Sequence, residues 1–196
     1  MHYSRSILYV ENMLSQRCKK IVETVLEDLG LEGACEIGAV TVDRGITLEQ
    51  RQELKIILSK YGLKLLDIEK TEVIERMITL INERIYHVEQ GGKCTFSDYL
   101  TENLSYDYNY LASLFSRIKG VTLENYIIAI KIDRVKELLL YDDCNLTEIS
   151  YKLKYCSVAH LSTQFKKVTG ITPSSFKCLT TMRVNPKGRC NSHEFI

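Results

Sequence analysis

The sequence predicts an α/β N-terminal half followed by an all-helical C-terminal half that carries one helix-turn-helix unit twice. The second half repeats itself at an offset of 50 residues, which is typical of a duplicated supersecondary unit. The first half alternates short apolar segments with amphipathic helical patterns. The pair Gly91-Gly92 follows a long helical pattern and marks a joint between the halves. We therefore place one domain over residues 1–90 and another over residues 93–179.

Composition excludes several classes of protein. The chain has 196 residues, of which 45% are hydrophobic and 26% charged, as in ordinary soluble domains with a real core. None of its seven cysteines forms a CxxC pair, which argues against a disulfide framework or a four-thiolate zinc site. The apolar run at residues 126–130 is far shorter than the roughly 20 residues of a membrane span. Residues 1–12 lack the apolar segment of a signal peptide, so we expect a cytoplasmic protein without membrane contact.

The repeat defines two capped helices, because residues 110–126 align with residues 160–176. In each copy a Leu and a Phe lie four residues apart and therefore on one helical face. A glycine follows each helix where a left-handed C-cap is expected. An Asp or a Ser precedes each helix as its N-cap. The matched pairs are Asp107 with Ser157, Leu111 with Leu161, Phe115 with Phe165, and Gly120 with Gly170.

Further helical patterns complete the second half. A shorter helix is predicted before each capped helix, at residues 96–100 and 146–153, which gives two helix-turn-helix units. Residues 122–141 form one linking helix of roughly 28 Å, with Ile128, Ile132, Val135 and Leu139 on one stripe. Two recognition helices held about that far apart match successive major grooves of B-DNA, which repeat about every 34 Å.

Residues 95–179 resemble the AraC/XylS-type DNA-binding domain. The resemblance rests on the repeat, its spacing, and the phrase FKKVTGITPSSFK from Phe165 to Lys177, with its Gly-x-Thr-Pro ending at Gly170 to Pro173. It departs from the family pattern at Lys154, where the turn usually has Gly, and at Val135, where the linking helix usually has Ala. The resemblance implies a bipartite fold of about seven helices that binds promoter DNA, contacts RNA polymerase and regulates transcription.

Helical periodicity assigns the outward faces of the two recognition helices. The residues predicted to face the bases are Asn109, Ala112, Ser113, Ser116, Ala159, Ser162, Thr163 and Lys166. Asn can make a bidentate contact with adenine, whereas no Arg on these faces is placed for guanine, so we expect an A·T-leaning site read partly through DNA shape. The residues predicted for phosphate contacts are Arg117, Lys152, Lys154 and Lys167, with Lys166 also placed for a phosphate. A solvated helix face is the alternative interpretation of each of these cations.

The N-terminal half is predicted as two βα units on a small sheet covered by helices on one face. The strands fall at residues 7–10, 34–42 and 63–66, the helices at residues 15–29 and 47–61. This order resembles the ferredoxin-like heavy-metal-associated domain, whose Met-x-Cys-x-x-Cys motif corresponds to Met13 through Cys18. Because Ser15 replaces the first cysteine, two hypotheses stay open: a relic scaffold with Cys18 packed, or residual Cu(I) or thiol sensing through Met13 and Cys18.

Residues 69–88 form a long helix whose apolar arc is broader than one stripe. Either the second stripe meets the same helix of another chain in a homodimer, or the helix is wedged between the two domains of one chain. Residues 180–196 lack periodicity and are predicted to be a disordered tail.

The charge distribution also separates the halves. Residues 1–89 carry 12 basic and 15 acidic side chains, while residues 90–196 carry 14 basic and 10 acidic ones. A mildly basic half beside an acidic one fits a DNA-binding module joined to a sensing or dimerising domain. The sequence therefore predicts a sequence-specific transcriptional regulator, with a soft-metal-handling or redox-sensing protein tethered to DNA as the alternative. An enzyme is not expected, because no nucleophile, base and orienting group fall together.

Overall fold

A computed structural model describes residues 6–86, 95–141 and 144–184, with side chains described up to residue 180. The chain contains two compact units. The first unit comprises Met1–Thr79 and Cys94–Leu123, and the second comprises Leu80–Lys93 and Glu124–Ile196. The first helix-turn-helix unit thus belongs to the same compact unit as the N-terminal sheet. The domain boundary near residue 90 and the two-domain division stay predictions.

The N-terminal region has the element order βαββαβ. Its elements are β1 (Ser6–Glu11), α1 (Gln16–Asp28), β2 (Gly33–Glu36), β3 (Ala39–Val42), α2 (Leu48–Lys60) and β4 (Lys64–Leu65). The strands form one antiparallel sheet in the order β2-β3-β1-β4, with Leu8 of β1 opposite Val40 of β3. The single extended segment predicted at residues 34–42 is therefore a hairpin. It turns at Gly38, whose φ of 78° lies in the left-handed region that glycine tolerates.

Local hydrogen bonds cap the first turn of both helices of this region. The Ser15 hydroxyl accepts a hydrogen bond from the Cys18 amide at the start of α1. Thr47 and Gln50 form a reciprocal capping box at the start of α2. Each cap satisfies amides that have no partner within the helix.

Both faces of β1 are buried, which corrects the prediction of a sheet covered on one face only. Leu8 and Val10 belong to the apolar cluster that also contains residues of α1 and α2. Tyr9 and Glu11 point the other way, because side chains alternate along a strand. They are also buried, at 4% and 7% exposure.

Helix α3 (Ile68–Tyr86) buries most of its apolar arc within the single chain. Its buried residues are Ile74, Met77, Leu80, Ile81 and Ile85. Val73 and Ile78 are half-buried, and Val88 lies outside the described residues. Little apolar surface therefore remains on α3 for a second chain, and the homodimer through residues 69–88 stays a prediction.

Six helices follow. They are α4 (Phe96–Leu104), α5 (Tyr108–Lys119), α6 (Leu123–Tyr141), α7 (Leu146–Lys152), α8 (Val158–Thr169) and α9 (Pro173–Val184). Helix α9 includes the first residues of the segment predicted to be disordered, and residues 185–196 lie outside the described part. Within the described ranges, no helix combines the length and apolarity that crossing a bilayer requires.

Candidate nucleic-acid interface

The two recognition helices, α5 and α8, begin and end as the repeat predicts. Asp107 accepts hydrogen bonds from two amides of the first turn of α5, and Ser157 accepts one from the His160 amide in α8. Gly120 and Gly170 close the helices with φ of 69° and 82°. Capping residues thus fix the length of both helices, so their outward side chains occupy defined positions.

The inward faces hold both helices in their units. Leu111, Phe115 and Ile118 of α5 are fully buried, as are Leu161 and Phe165 of α8. In α8, Phe165 makes an edge contact with Phe176, the aromatic that aligns with Tyr126 in the repeat. The predicted inward face of α5 missed one member: Leu114 is also fully buried. Its position is adjacent to Leu111 and Ile118 on the helical wheel, so the buried arc is broader than the repeat indicated.

The predicted base-facing residues lie on the outer surface of the two helices. Five of them are exposed, namely Asn109, Ser113, Ala159, Thr163 and Lys166. Three are half-buried, namely Ala112, Ser116 and Ser162. The Ser116 hydroxyl donates a hydrogen bond to the Ala112 carbonyl of its own helix. The four predicted phosphate contacts, Arg117, Lys152, Lys154 and Lys167, are all exposed.

The C-terminal end of α5 packs on the N-terminal sheet within the first unit. The Asn12 amide donates a hydrogen bond of 3.3 Å to the Arg117 carbonyl, and the Lys119 ammonium lies 5.3 Å from the centre of the Tyr9 ring. Burial lowers the pKa of Lys119, and nearby Glu36 opposes that effect. Tyr9 and Glu11, on the face of β1 opposite to Leu8 and Val10, are thus buried against the first recognition helix.

One predicted phosphate ligand takes part in this contact. Arg117 forms a 3.5 Å ion pair with Glu11, whose side chain is only 10% exposed. The same guanidinium donates a 3.3 Å hydrogen bond to the Ser113 hydroxyl. Sequence reasoning missed Glu11, and the signal that could have found it is a carboxylate that ends an otherwise apolar strand.

In the second unit, α7 ends in a Schellman motif. The amides of Lys154 and Tyr155 donate to the carbonyls of Tyr151 and Ser150, and Lys154 has a φ of 55°. Lys154 therefore occupies the left-handed position where the resembled family usually has Gly. Lys131 of α6 supports the same turn, because its ammonium donates a 3.1 Å hydrogen bond to the Leu153 carbonyl.

Tyr155, the last residue of this turn, packs between Lys131 of α6 and His160 of α8. Its ring lies 5.2 Å from the Lys131 ammonium and makes an edge contact with His160. Burial lowers the pKa of Lys131, and burial raises the pKa of Tyr155 to about 12. His160 thus makes a packing contact with Tyr155 at the start of α8, although its side chain is exposed.

The candidate soft-metal residues do not share an open site. Met13 is fully buried in the N-terminal core, whereas Cys18 is half-buried at the start of α1 and accepts a hydrogen bond from the Ser15 hydroxyl. Among the described residues, no cluster of three or more His, Cys, Asp or Glu could hold a metal ion. Cu(I) binding or thiol sensing at Met13 and Cys18 therefore stays a prediction.

An exposed aromatic pair at the start of α5 was not predicted. The rings of Tyr106 and Tyr110 stack with their centres 5.3 Å apart. Both side chains are partly open to solvent. Their spacing of four residues was visible in the sequence, but tyrosines at that spacing are equally typical of a packed helix face.

Several known proteins are similar to parts of this chain. Residues 100–177 match the family described as "Helix-turn-helix domain". The chain is 29% identical over 122 residues to an uncharacterized helix-turn-helix-type transcriptional regulator, YtdP, of Bacillus subtilis, covering 55% of this chain and 16% of the relative. It is 26% identical over 152 residues to the uncharacterized transcriptional regulatory protein YesN of the same organism, covering 74% of this chain and 40% of the relative.

A further relative is the melibiose operon regulatory protein of Escherichia coli, 26% identical over 84 residues, covering 43% of this chain and 28% of the relative. The chain spans less than half the length of each of these curated relatives. Among solved structures, an AraC-type transcriptional regulator from Chromobacterium violaceum has a TM-score of 0.49 at 18% identity, covering 61% of this chain and 99% of that one.

Proposed function

We propose that this chain, whose residues 100–177 match a helix-turn-helix domain family, is an AraC-type, sequence-specific DNA-binding regulator of transcription. The single observation that carries the proposal is the duplicated recognition helix. Each copy buries an apolar face in its own unit and leaves small polar side chains outward. A capped helix with such a face is the element that helix-turn-helix proteins insert into a major groove.

The side chains on the outer faces of the two recognition helices support two separate roles, base recognition and phosphate binding. Asn109 has the amide that pairs with an adenine edge, and Thr163 can donate to or accept from several bases. Lys166 and Lys167 at the end of α8 would bind phosphates and fix the register of that helix. Few bidentate contacts are available, so we propose an A·T-leaning operator in which DNA shape supplies part of the discrimination.

We also propose that the N-terminal region is a ferredoxin-like domain that transmits a signal to the DNA-binding domain. Its βαββαβ order and its antiparallel strand order β2-β3-β1-β4 support that assignment. Its contact with α5 supports the coupling. A homodimer through α3 and a contact with RNA polymerase belong to the same proposal, as do a cytoplasmic location and the lack of catalytic activity.

Selection from random duplex DNA with the purified full chain tests the proposal. We expect recovery of fragments that contain two half-sites one helical turn apart, with binding that weakens steeply as salt increases. Protection of two successive major grooves in a footprint of the selected fragment would support simultaneous docking. Recovery of no common sequence, together with equal affinity for every duplex, would contradict sequence-specific regulation.

A further inference from the structure

Arg117 is shared between the N-terminal sheet and the outer face of the first recognition helix. Its guanidinium pairs with Glu11 at 3.5 Å and donates to the Ser113 hydroxyl at 3.3 Å. Ser113 is exposed on the face predicted to meet DNA, whereas Glu11 is buried on the sheet. One cation therefore connects the sheet to the candidate DNA surface.

The backbone around this pair is held in place. The Asn12 amide donates to the Arg117 carbonyl, so the residue after Glu11 fixes the helical turn that carries Arg117. The Leu14 side chain contacts the position where Gly120 ends the helix. The ion pair is thus part of the packed surface between the N-terminal sheet and the end of α5.

Removing Arg117 from Glu11 carries a cost, because a buried carboxylate is unfavourable without its partner cation. A DNA phosphate that approached Arg117 would compete with that carboxylate and would also be repelled by it. Both effects oppose a contact between Arg117 and the DNA backbone while the helix is docked on the sheet.

We propose that Glu11 withholds Arg117 from DNA, so that the docked N-terminal sheet restrains the DNA affinity of the first helix-turn-helix unit. The proposal rests on the DNA-binding function proposed above. A change in the sheet that moves Glu11 away releases one phosphate-binding cation. The ion pair between Glu11 and Arg117 would change the overall affinity for DNA and not the preference for particular bases, because phosphate contacts are independent of sequence.

The test compares full-length variants binding to a labelled duplex of about 30 base pairs with arbitrary sequence, which is long enough for two half-sites. Glu11→Gln keeps the shape of the side chain and removes its charge. We expect this variant to bind several-fold more tightly than the wild type at low salt. Its log-log salt slope should be steeper by about 0.9, and its advantage should therefore shrink about 3.5-fold between roughly 50 and 200 mM salt.

Two controls separate the proposed contact from a change in net charge. Glu27→Gln removes the same charge from an exposed position of α1, and it should leave the salt slope unchanged. Arg117→Ala alone should weaken binding less than Lys166→Ala does, because Glu11 already withholds the wild-type Arg117 side chain from the phosphates. Arg117→Ala combined with Glu11→Gln should abolish the gain.

An unchanged or reduced affinity of Glu11→Gln, in a wild type that binds the duplex, would overturn this inference and leave the proposed function intact. A loss of affinity on Arg117→Ala alone, comparable to the loss on Lys166→Ala, would also overturn it, and this measurement does not depend on the folding of the Glu11 variant. Failure of the wild type to bind either this duplex or any fragment selected from random DNA would overturn the proposed function itself.

Discussion

Gly38, at the turn between β2 and β3, lies against the backbone of Ile118 at the end of the first recognition helix. A Cβ atom built on Gly38 would clash with the Ile118 carbonyl oxygen, and the φ of 78° at Gly38 already disfavours any other residue. The turn of a hairpin and the end of a helix thus meet backbone to backbone. This close approach joins the N-terminal sheet to the first helix-turn-helix unit.

Gly38→Ala is predicted to destabilise the chain more than Gly30→Ala. Both positions have positive φ, so each alanine costs about 1–2 kcal/mol in backbone strain. Gly30 has open space around it, whereas Gly38 lies against the Ile118 backbone. The difference in free energy of unfolding between the two variants therefore isolates the contact between Gly38 and Ile118. Urea unfolding of both variants measures it, and equal losses of stability would show that the contact is absent in solution.

Lys154→Gly is predicted to raise the free energy of unfolding by up to about 1 kcal/mol, because glycine adopts the left-handed position of the Schellman motif without a Cβ penalty. Lys154→Ala is the matched control, since it removes the same charge and keeps the strain. Thermal melts compare the two variants. A more stable alanine variant would contradict the backbone explanation.

The same two variants test the predicted phosphate contact of Lys154. Both lose the ammonium, so both should weaken DNA binding equally and make the salt dependence shallower by about 0.9 in log-log slope. Titration of labelled duplex at several salt concentrations provides the measurement. Wild-type affinity in both variants would assign Lys154 to a solvated surface.

The wild type is predicted to lose stability at alkaline pH because of Tyr155, and Tyr155→Phe is predicted to abolish that loss. Burial raises the pKa of Tyr155 to about 12 from an ordinary value of 10.0, so the folded chain keeps the phenolic proton where the unfolded chain has lost it. The stability that Tyr155 contributes is therefore complete below pH 10 and declines as the pH rises from about 10 to about 12. Urea midpoints measured across that range should decline less in the variant.

At neutral pH, Tyr155→Phe should leave stability unchanged or increase it by about 1 kcal/mol. The buried Tyr155 hydroxyl has no hydrogen-bond partner among the described residues, so its removal relieves an unsatisfied polar group. Tyr151→Phe is the control, because Tyr151 is 86% exposed. A marked destabilisation of Tyr155→Phe would reveal a hydrogen bond to this hydroxyl in solution.

Asn109→Ala and Lys166→Ala are predicted to weaken DNA binding in different ways. The asparagine variant should cost about 1–3 kcal/mol on the selected operator and relax the preference at one base pair. The lysine variant should weaken binding to all sequences alike, because a phosphate contact carries no sequence information. Affinities for the operator and for single-base variants of it distinguish the two, and a uniform loss in Asn109→Ala would remove Asn109 from base recognition.

The sequence was most informative where the structure is locally determined. The caps at Asp107, Ser157, Gly120 and Gly170 follow from short-range hydrogen bonds and backbone preferences, and the structure confirms them. The predicted strand at residues 34–42 was wrong in one respect, because the chain makes a complete hairpin turn at Gly38. A run of apolar residues around a glycine has the same sequence pattern in a single strand and in a hairpin.

Contacts between distant parts of the chain were beyond the sequence patterns. Nothing near Glu11 indicates that a residue about a hundred positions later will pair with it, and Lys131 gives no sign that it will bind the end of α7. The broad buried arc of α3 was visible, but a partner chain and the same chain can bury an apolar face equally well. The base-facing residues themselves stay predictions.

The burial of both faces of β1 limits how this protein can be divided for experiments. An expression fragment that starts near residue 95 would lack the sheet that packs on the end of α5. Lys119 would then lose its contact with Tyr9, and Arg117 its ion pair with Glu11. Such a fragment is expected to be less soluble and to overstate general affinity for nucleic acid. Chimeras that exchange the N-terminal half should therefore carry the matching surface of α5 with it.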